Sequence, residues 1–310
     1  MKTSVAGMVG LAAVVAVSLV QAAGEEPAKG GLRYTITVTK FENQSGWSGQ
    51  WELGDAWGAV MTDALQASGH FIVLGEKDMR GEAMAEQDLG ASGRTAGGAK
   101  TPKIGQMTPA QLLVKGAITH VQSSTAGGSG GLNFKGISLG GSKDTAQVNA
   151  TIYLVDSQTG QVKASTKVVG NAGRKGLAVG YWGSKLGGLT GDMAGFKKDN
   201  VGKAVEDAVV QAVEFLMKQL DGIPWEGSVA LAKDGKVIIN RGSREGVTVG
   251  QQFSVGKAED VVDNDTGEVL DRSLTKVATI KVAEVKEKVS TCEIVDGKGI
   301  DKGMTVQPVK

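Results

Sequence analysis

The chain has 310 residues, with 34 Lys and Arg against 33 Asp and Glu, and its net charge of +1 lacks the basic excess of a general nucleic-acid binder. One Cys and two His exclude an intrachain disulfide framework and a Cys-rich zinc site, and leave scant material for hydrolytic or metal chemistry. Gly accounts for 47 residues, roughly twice the usual share, and the expectation is a protein that is not an enzyme and uses no cofactor.

Residues 1–22 read as a secretory signal peptide. Lys2 opens a charge-free run from Val5 to Val20, and Val20-Gln21-Ala22 places small or short residues where signal peptidase cuts. The apolar run is short for a spanning helix and contains Gly7 and Gly10, which argues against an uncleaved anchor. No Cys stands near the cut, so no lipid is expected there, and the mature chain carries zero net charge.

Tyr34 to Phe41 alternates with period 2 and is rich in β-branched residues, which predicts a strand. A polar loop containing Trp47 and Trp51 follows. Trp57, Val60, Met61, Ala64 and Leu65 then recur at helical spacing until Gly69. Phe71–Leu74 predicts a short strand, Glu76–Leu89 a helix ended by Gly90, Leu112–Val121 and Val148–Val155 two more strands. Asp156–Gly160 is a turn to a hairpin partner at Gln161–Val169. Asn200 is expected to cap a long helix to about Leu220. Residues 23–223 therefore read as an α+β domain. Past Pro224 the helical period vanishes, and six short apolar runs separated by turn signals predict a small all-β barrel or sandwich over 224–310.

The excess glycine is concentrated in two stretches. Residues 120–147 hold 7 Gly and residues 169–195 hold 9, each with few charges. From Leu89 to Lys143 there is no acidic residue at all. Each stretch is long enough for two tilted strands crossing a bilayer. Alternation at Leu132 and Phe134, and again at Leu177, Val179 and Tyr181, fits such hairpins, which would also hold Ile137 and Leu139, with Tyr181-Trp182 at the interface. Flexible surface loops are the competing reading.

Other motifs read blandly. Asp263-Asn-Asp265-Thr-Gly267 misses the calcium-loop spacing and is a turn. Gly170–Gly176 and the Gly127–Gly141 tract lack the Gly-Lys-Ser/Thr of a phosphate cradle. His70 and His120 read as structural or exposed, and Cys292 as a buried thiol. Trp57 lies on the apolar helix stripe. Trp47 and Trp51 sit in polar loop, where pore or partner contact competes with packing.

Five stretches, kept in order over residues 33–222, resemble the CsgG family, the curli secretion channel and its relatives. They are Ile36–Gly46, Gly69–Glu76, Met107–Ile118, Ile152–Gln161 and the helix Ala204–Leu220. The resemblance implies a periplasmic α+β domain and a ring-forming homo-oligomer. Two hairpins per protomer would close an outer-membrane barrel that passes unfolded, exported polypeptide. It also implies a constriction in the loop Asn43–Gly54, which looks shorter here and offers Trp47, Gln50 and Trp51 where the family carries Tyr, Asn and Phe. Curli channels are lipoproteins, and this chain lacks the lipidated Cys. The part after Pro224 resembles the C-terminal domain of the flagellar ring protein FlgT through Arg244–Phe253 and Asp265–Asp271, an SH3-like barrel. A soluble periplasmic scaffold of the flagellar-ring type is therefore the alternative.

Overall fold

The computed structural model describes residues 31–49, 51–98, 101–124, 145–172, 199–267 and 269–309. Strands β1 (Tyr34–Val38), β2 (Glu42–Asn43), β3 (Phe71–Val73), β4 (Leu112–Ser124), β5 (Thr145–Asp156) and β6 (Val162–Asn171) make one sheet. Its order is β3-β1-β4-β5-β6, with β2 added alongside β4. β1 is parallel to both neighbours, whereas β4, β5 and β6 form an antiparallel meander.

Every residue of β1 is buried, because both faces are covered. Ile36 and Val38 enter the core. On the other face Thr35 Oγ donates to Pro109 O at 3.0 Å and Thr37 Oγ to Gly75 O at 2.8 Å, so their hydroxyls remain satisfied out of water. In β4 the even-numbered residues Leu112, Val114, Gly116 and Ile118 are buried. A bulge between Ile118 and His120 then leaves Thr119 and His120 both exposed.

Helix α1 (Leu53–Ser68) follows the expected stripe, starts two residues before Asp55 and ends where Gly69 takes a left-handed φ of 71°. Helix α3 (Asn200–Gln219) buries Val201, Ala204, Val205, Ala208, Val209, Ala212, Val213 and Leu216 against the sheet and α1. Its cap is Asp199, one residue before the expected Asn200, and the Asp199 carboxylate accepts from Val201 N at 3.1 Å. Gly170 lets α3 lie directly on β6: a Cβ there would stand 1.8 Å from Ala204 O. Polar side chains of α3 close the outer edge of β6. Asp207 Oδ2 accepts from Asn171 N at 3.0 Å, and Gln211 Nε2 donates to Val169 O at 2.9 Å.

Helix α2 (Lys77–Ala91) runs through Gly90 and leaves helical geometry after Ser92, at Gly93 with φ 75°. Gly90 marks a close approach, since a Cβ would lie 3.1 Å from both Pro102 O and Thr101 Cγ2. The following loop thus folds back onto the end of α2.

After the turn Leu220–Gly222, six strands close a barrel: β7 (Gly227–Lys233), β8 (Lys236–Ile239), β9 (Gln252–Val262), β10 (Val269–Val285), β11 (Ser290–Gly297) and β12 (Thr305–Pro308). The order round the barrel is β10-β11-β8-β7-β12-β9. Each expected apolar run overlaps one of these strands, and closure decides between barrel and sandwich. The buried apolar side chains of sheet and barrel form one connected cluster. At the seam Tyr34 Oη donates to Ile223 O, and Arg33 N donates to Glu245 O at 2.9 Å. Arg244-Glu-Gly246, the turn between β8 and β9, therefore also holds the junction.

Candidate functional site

Both Gly-rich stretches are rooted at one end of the sheet. β4 ends and β5 begins there, with Ser124 paired to Thr145. β6 arrives at the same end, with Asn171 opposite Gln147 and Ala172 N donating to Ala146 O at 2.9 Å. α3 starts from this end too, since its Ala204 lies over Gly170. The ends of the expected hairpins, 120–124, 145–147 and 169–172, therefore belong to the sheet, because ladder pairing and α3 packing claim them. Leu132, Phe134, Ile137, Leu139, Leu177, Val179, Tyr181 and Trp182 lie outside the described residues.

The aromatic loop points to that same end. β2 runs parallel to β4, with Asn43 opposite Ile118, so the chain beyond Asn43 heads the way β4 heads toward Ser124. Asn43 organises the loop: its Nδ2 donates to Trp47 O at 2.8 Å and its Oδ1 accepts from Ser45 Oγ at 2.7 Å. Gly46 turns the chain with φ 72°. The Trp47 and Trp51 rings meet at 4.7 Å between centroids and 47° between planes. Gly49 leaves room for the Trp47 ring, which a Cβ would approach to 2.1 Å. Both indoles are half-buried and rest against the core. A cleft of 280 Å³ opens between Asn43, Trp47, Ser48, Gly49 and Leu53. Gln50 lies outside the described residues.

Behind this loop, Trp57 is fully buried and stacks on Phe41 at 5.4 Å. Beside it lies a larger groove whose rim carries two ion pairs, Lys40–Asp55 at 2.9 Å and Lys115–Glu42 at 3.7 Å. The hydrogen bond and charge of Asp55 hold the Lys40 ammonium above its usual range. Glu76, half-buried beneath α1, is pushed up by desolvation despite accepting from Thr62 Oγ at 3.1 Å.

The remaining reactive types are dispersed. His120 is exposed on β4, and His70 borders the cleft at the domain seam. Among the described residues no three His, Cys, Asp or Glu side chains gather as a metal site. Asp263 closes its turn by accepting from Asp265 N at 2.7 Å and Thr266 N at 3.2 Å. Cys292 is fully buried in the barrel, and that burial pushes its thiol up to about 12. Folded protein at pH 8 is expected to resist an aromatic disulfide reagent that labels the unfolded chain at once. Rapid labelling of one thiol per folded chain would show that β11 opens.

Among known proteins, the family model for the curli production assembly/transport component CsgG matches residues 16–247. The model for the flagellar assembly protein T C-terminal domain matches residues 234–307. No curated protein matches the chain. Among solved structures, the PelC dodecamer from Paraburkholderia phytofirmans is 11% identical, covering 58% of this chain and 85% of that one at a TM-score of 0.30. A hypothetical protein from Chlamydia trachomatis is 11% identical over 61% of this chain and 99% of that one, with a TM-score of 0.35. Lipoprotein GNA1162 from Neisseria meningitidis is 14% identical over 61% of this chain and 99% of its own, with a TM-score of 0.27. With the match over 16–247 running from before β1 into the barrel, the chain belongs to the CsgG family and carries a C-terminal domain like that of flagellar assembly protein T.

Proposed function

We propose that this CsgG-family protein is exported to the cell envelope by its N-terminal segment and assembles there as a homo-oligomeric ring. The ring is an outer-membrane pore that passively passes unfolded polypeptide, without catalysis or cofactor. One observation supports this reading above the others: both Gly-rich stretches are rooted at one end of the sheet, and the Trp47–Trp51 loop heads to that end. Hairpins raised from neighbouring protomers at one end would meet as staves of a common barrel, with the aromatic loops beneath as a collar. Rigid apolar rings suit a sliding contact with an unfolded chain.

The test is conductance of the detergent-purified oligomer in planar bilayers. Trp47→Ala with Trp51→Ala is expected to raise single-channel conductance while the oligomer still assembles. Unchanged conductance in assembled double mutant would remove the collar, and loss of folding would reduce the indole pair to packing. A second reading, a soluble periplasmic scaffold of the flagellar-ring type, draws on the match of residues 234–307. It expects release from membranes by alkaline extraction, whereas the pore resists it.

A further inference from the structure

The hairpin of β9 and β10 outruns the barrel. β12 pairs with β9 only as far as Gly256, and β11 pairs with β10 only from Ala278. Beyond those points residues 257–262 and 269–275 pair with each other and with no third strand among the described residues. The result is a two-stranded ribbon with both edges open, a form of marginal stability in water when left alone. It is nevertheless braced. Midway along it Arg272 reaches Asp260 at 3.5 Å and Glu226 at 3.7 Å, and the Asp263 turn locks its tip.

Its chemistry is that of a contact surface. Val261, Val262, Val269 and Leu270 are 51%, 44%, 48% and 61% exposed. Leu270 is the extra residue of a bulge, turned out beside Asp271. From Glu259 to Asp271 the sequence carries six carboxylates and no basic residue. Glu259 and Asp265 have no ion-pair partner among the described residues.

The complementary surface is on the same chain. The loop after α2 lies in the stretch from Leu89 to Lys143 that has no acidic residue. Arg94 and Lys103 are exposed there, with no ion-pair partner among the described residues. Ile104 is 63% and Leu89 41% exposed beside them. The close approach at Gly90 gathers these residues at one end of the helix.

We propose that the β9–β10 ribbon of one protomer docks on the end of α2 and the flanking residues 92–98 and 101–106 of a second copy of this chain, its valines and Leu270 covering Leu89 and Ile104 while its carboxylates face Arg94 and Lys103. The two patches differ, so the contact is head-to-tail and passes from protomer to protomer. The proposal rests on the ring reading above and adds the surfaces that join the ring. Such a contact weakens with salt.

The experiment compares full-length wild type, Glu259→Lys/Asp265→Lys, Arg94→Glu/Lys103→Glu and the fourfold combination in detergent, by sedimentation at low and high salt. All four positions are exposed, and thermal unfolding checks that each variant folds. Each double variant is expected to weaken assembly about tenfold or more, and the fourfold variant to restore it. Leu270→Ser, which leaves charge untouched, is expected to weaken assembly at both salt concentrations. Wild-type rings indifferent to both reversals, or a fourfold variant as weak as the doubles, would overturn the docking and leave the pore reading standing. Wild type that is monomeric at every concentration would overturn both. Dimers without rings, lost on reversal and restored in the combination, would uphold the docking and overturn the ring.

Discussion

Trp57→Ala is expected to destabilise the protein by about 3–5 kcal/mol, the range for emptying a buried aromatic site. The indole is fully enclosed, stacked on Phe41 and flanked by Leu53, Val60 and Met61 of the same helix. The site cannot collapse readily, because Gly54 is already held against Phe41 O, which a Cβ would meet at 2.2 Å. Phe41 is held from the other side by Gly116, whose Cβ would stand 2.4 Å from the Phe41 ring. Chemical denaturation of detergent-solubilised protein would measure the loss. A change below about 1 kcal/mol would mean that the helix and sheet repack without the indole.

Gly170→Val is expected to cost at least about 3 kcal/mol, the upper part of the range for overpacking. Here the obstacle is backbone. The added carbons would overlap Ala204 O and crowd Ala208 N, which would stand 2.8 Å away. Neither can swing aside as a long side chain could. α3 must lift from β6, breaking the Asp207 and Gln211 hydrogen bonds that cap that strand. Gly170→Ala should cost less but still weaken folding. Ala204→Gly introduced with Gly170→Ala is not expected to rescue it, since the closest atom is a carbonyl oxygen. A fully folded Gly170→Val protein, judged by melting temperature, would show that α3 sits farther from the sheet.

Where one side of an element is apolar and the other wet, its sequence was readable. The stripe Trp57, Val60, Met61, Ala64 and Leu65 reappears as a buried face, and the long helix expected from Asn200 to about Leu220 forms as α3. Where long-range pairing decides, the local pattern fell short. The β9 and β10 ladders extend to Val262 and from Val269, well beyond the apolar runs, because the ribbon is exposed on both faces and carries no hydrophobic alternation. β2 is two residues long and exists only because β4 lies beside it. Gly90 reads as a helix stop and Gly170 as the start of a Gly-rich stretch expected to form a hairpin, yet both permit close approach of another segment. The pairing of Trp47 with Trp51 over Gly49 was hidden for the same reason: their spacing says they share a loop, and only the fold of that loop says they touch.

The bulge at Thr119 sets the parity of everything that β4 carries forward. Before it, even-numbered residues face the core; after it, Val121 takes the inner position opposite Val148. A strand has only two sides, so this single extra residue acts as a half-cycle phase shift. Deleting Thr119 would leave the pairing from Leu112 to Ile118 intact. It would also leave His120 outer and Val121 inner in a now regular strand, whereas regular pairing that kept Thr119 without the bulge would turn Val121 out, as an added stitch shifts the pattern of a knitted row above it. One residue inside the sheet thereby governs which side chains near the end of β4 face the core.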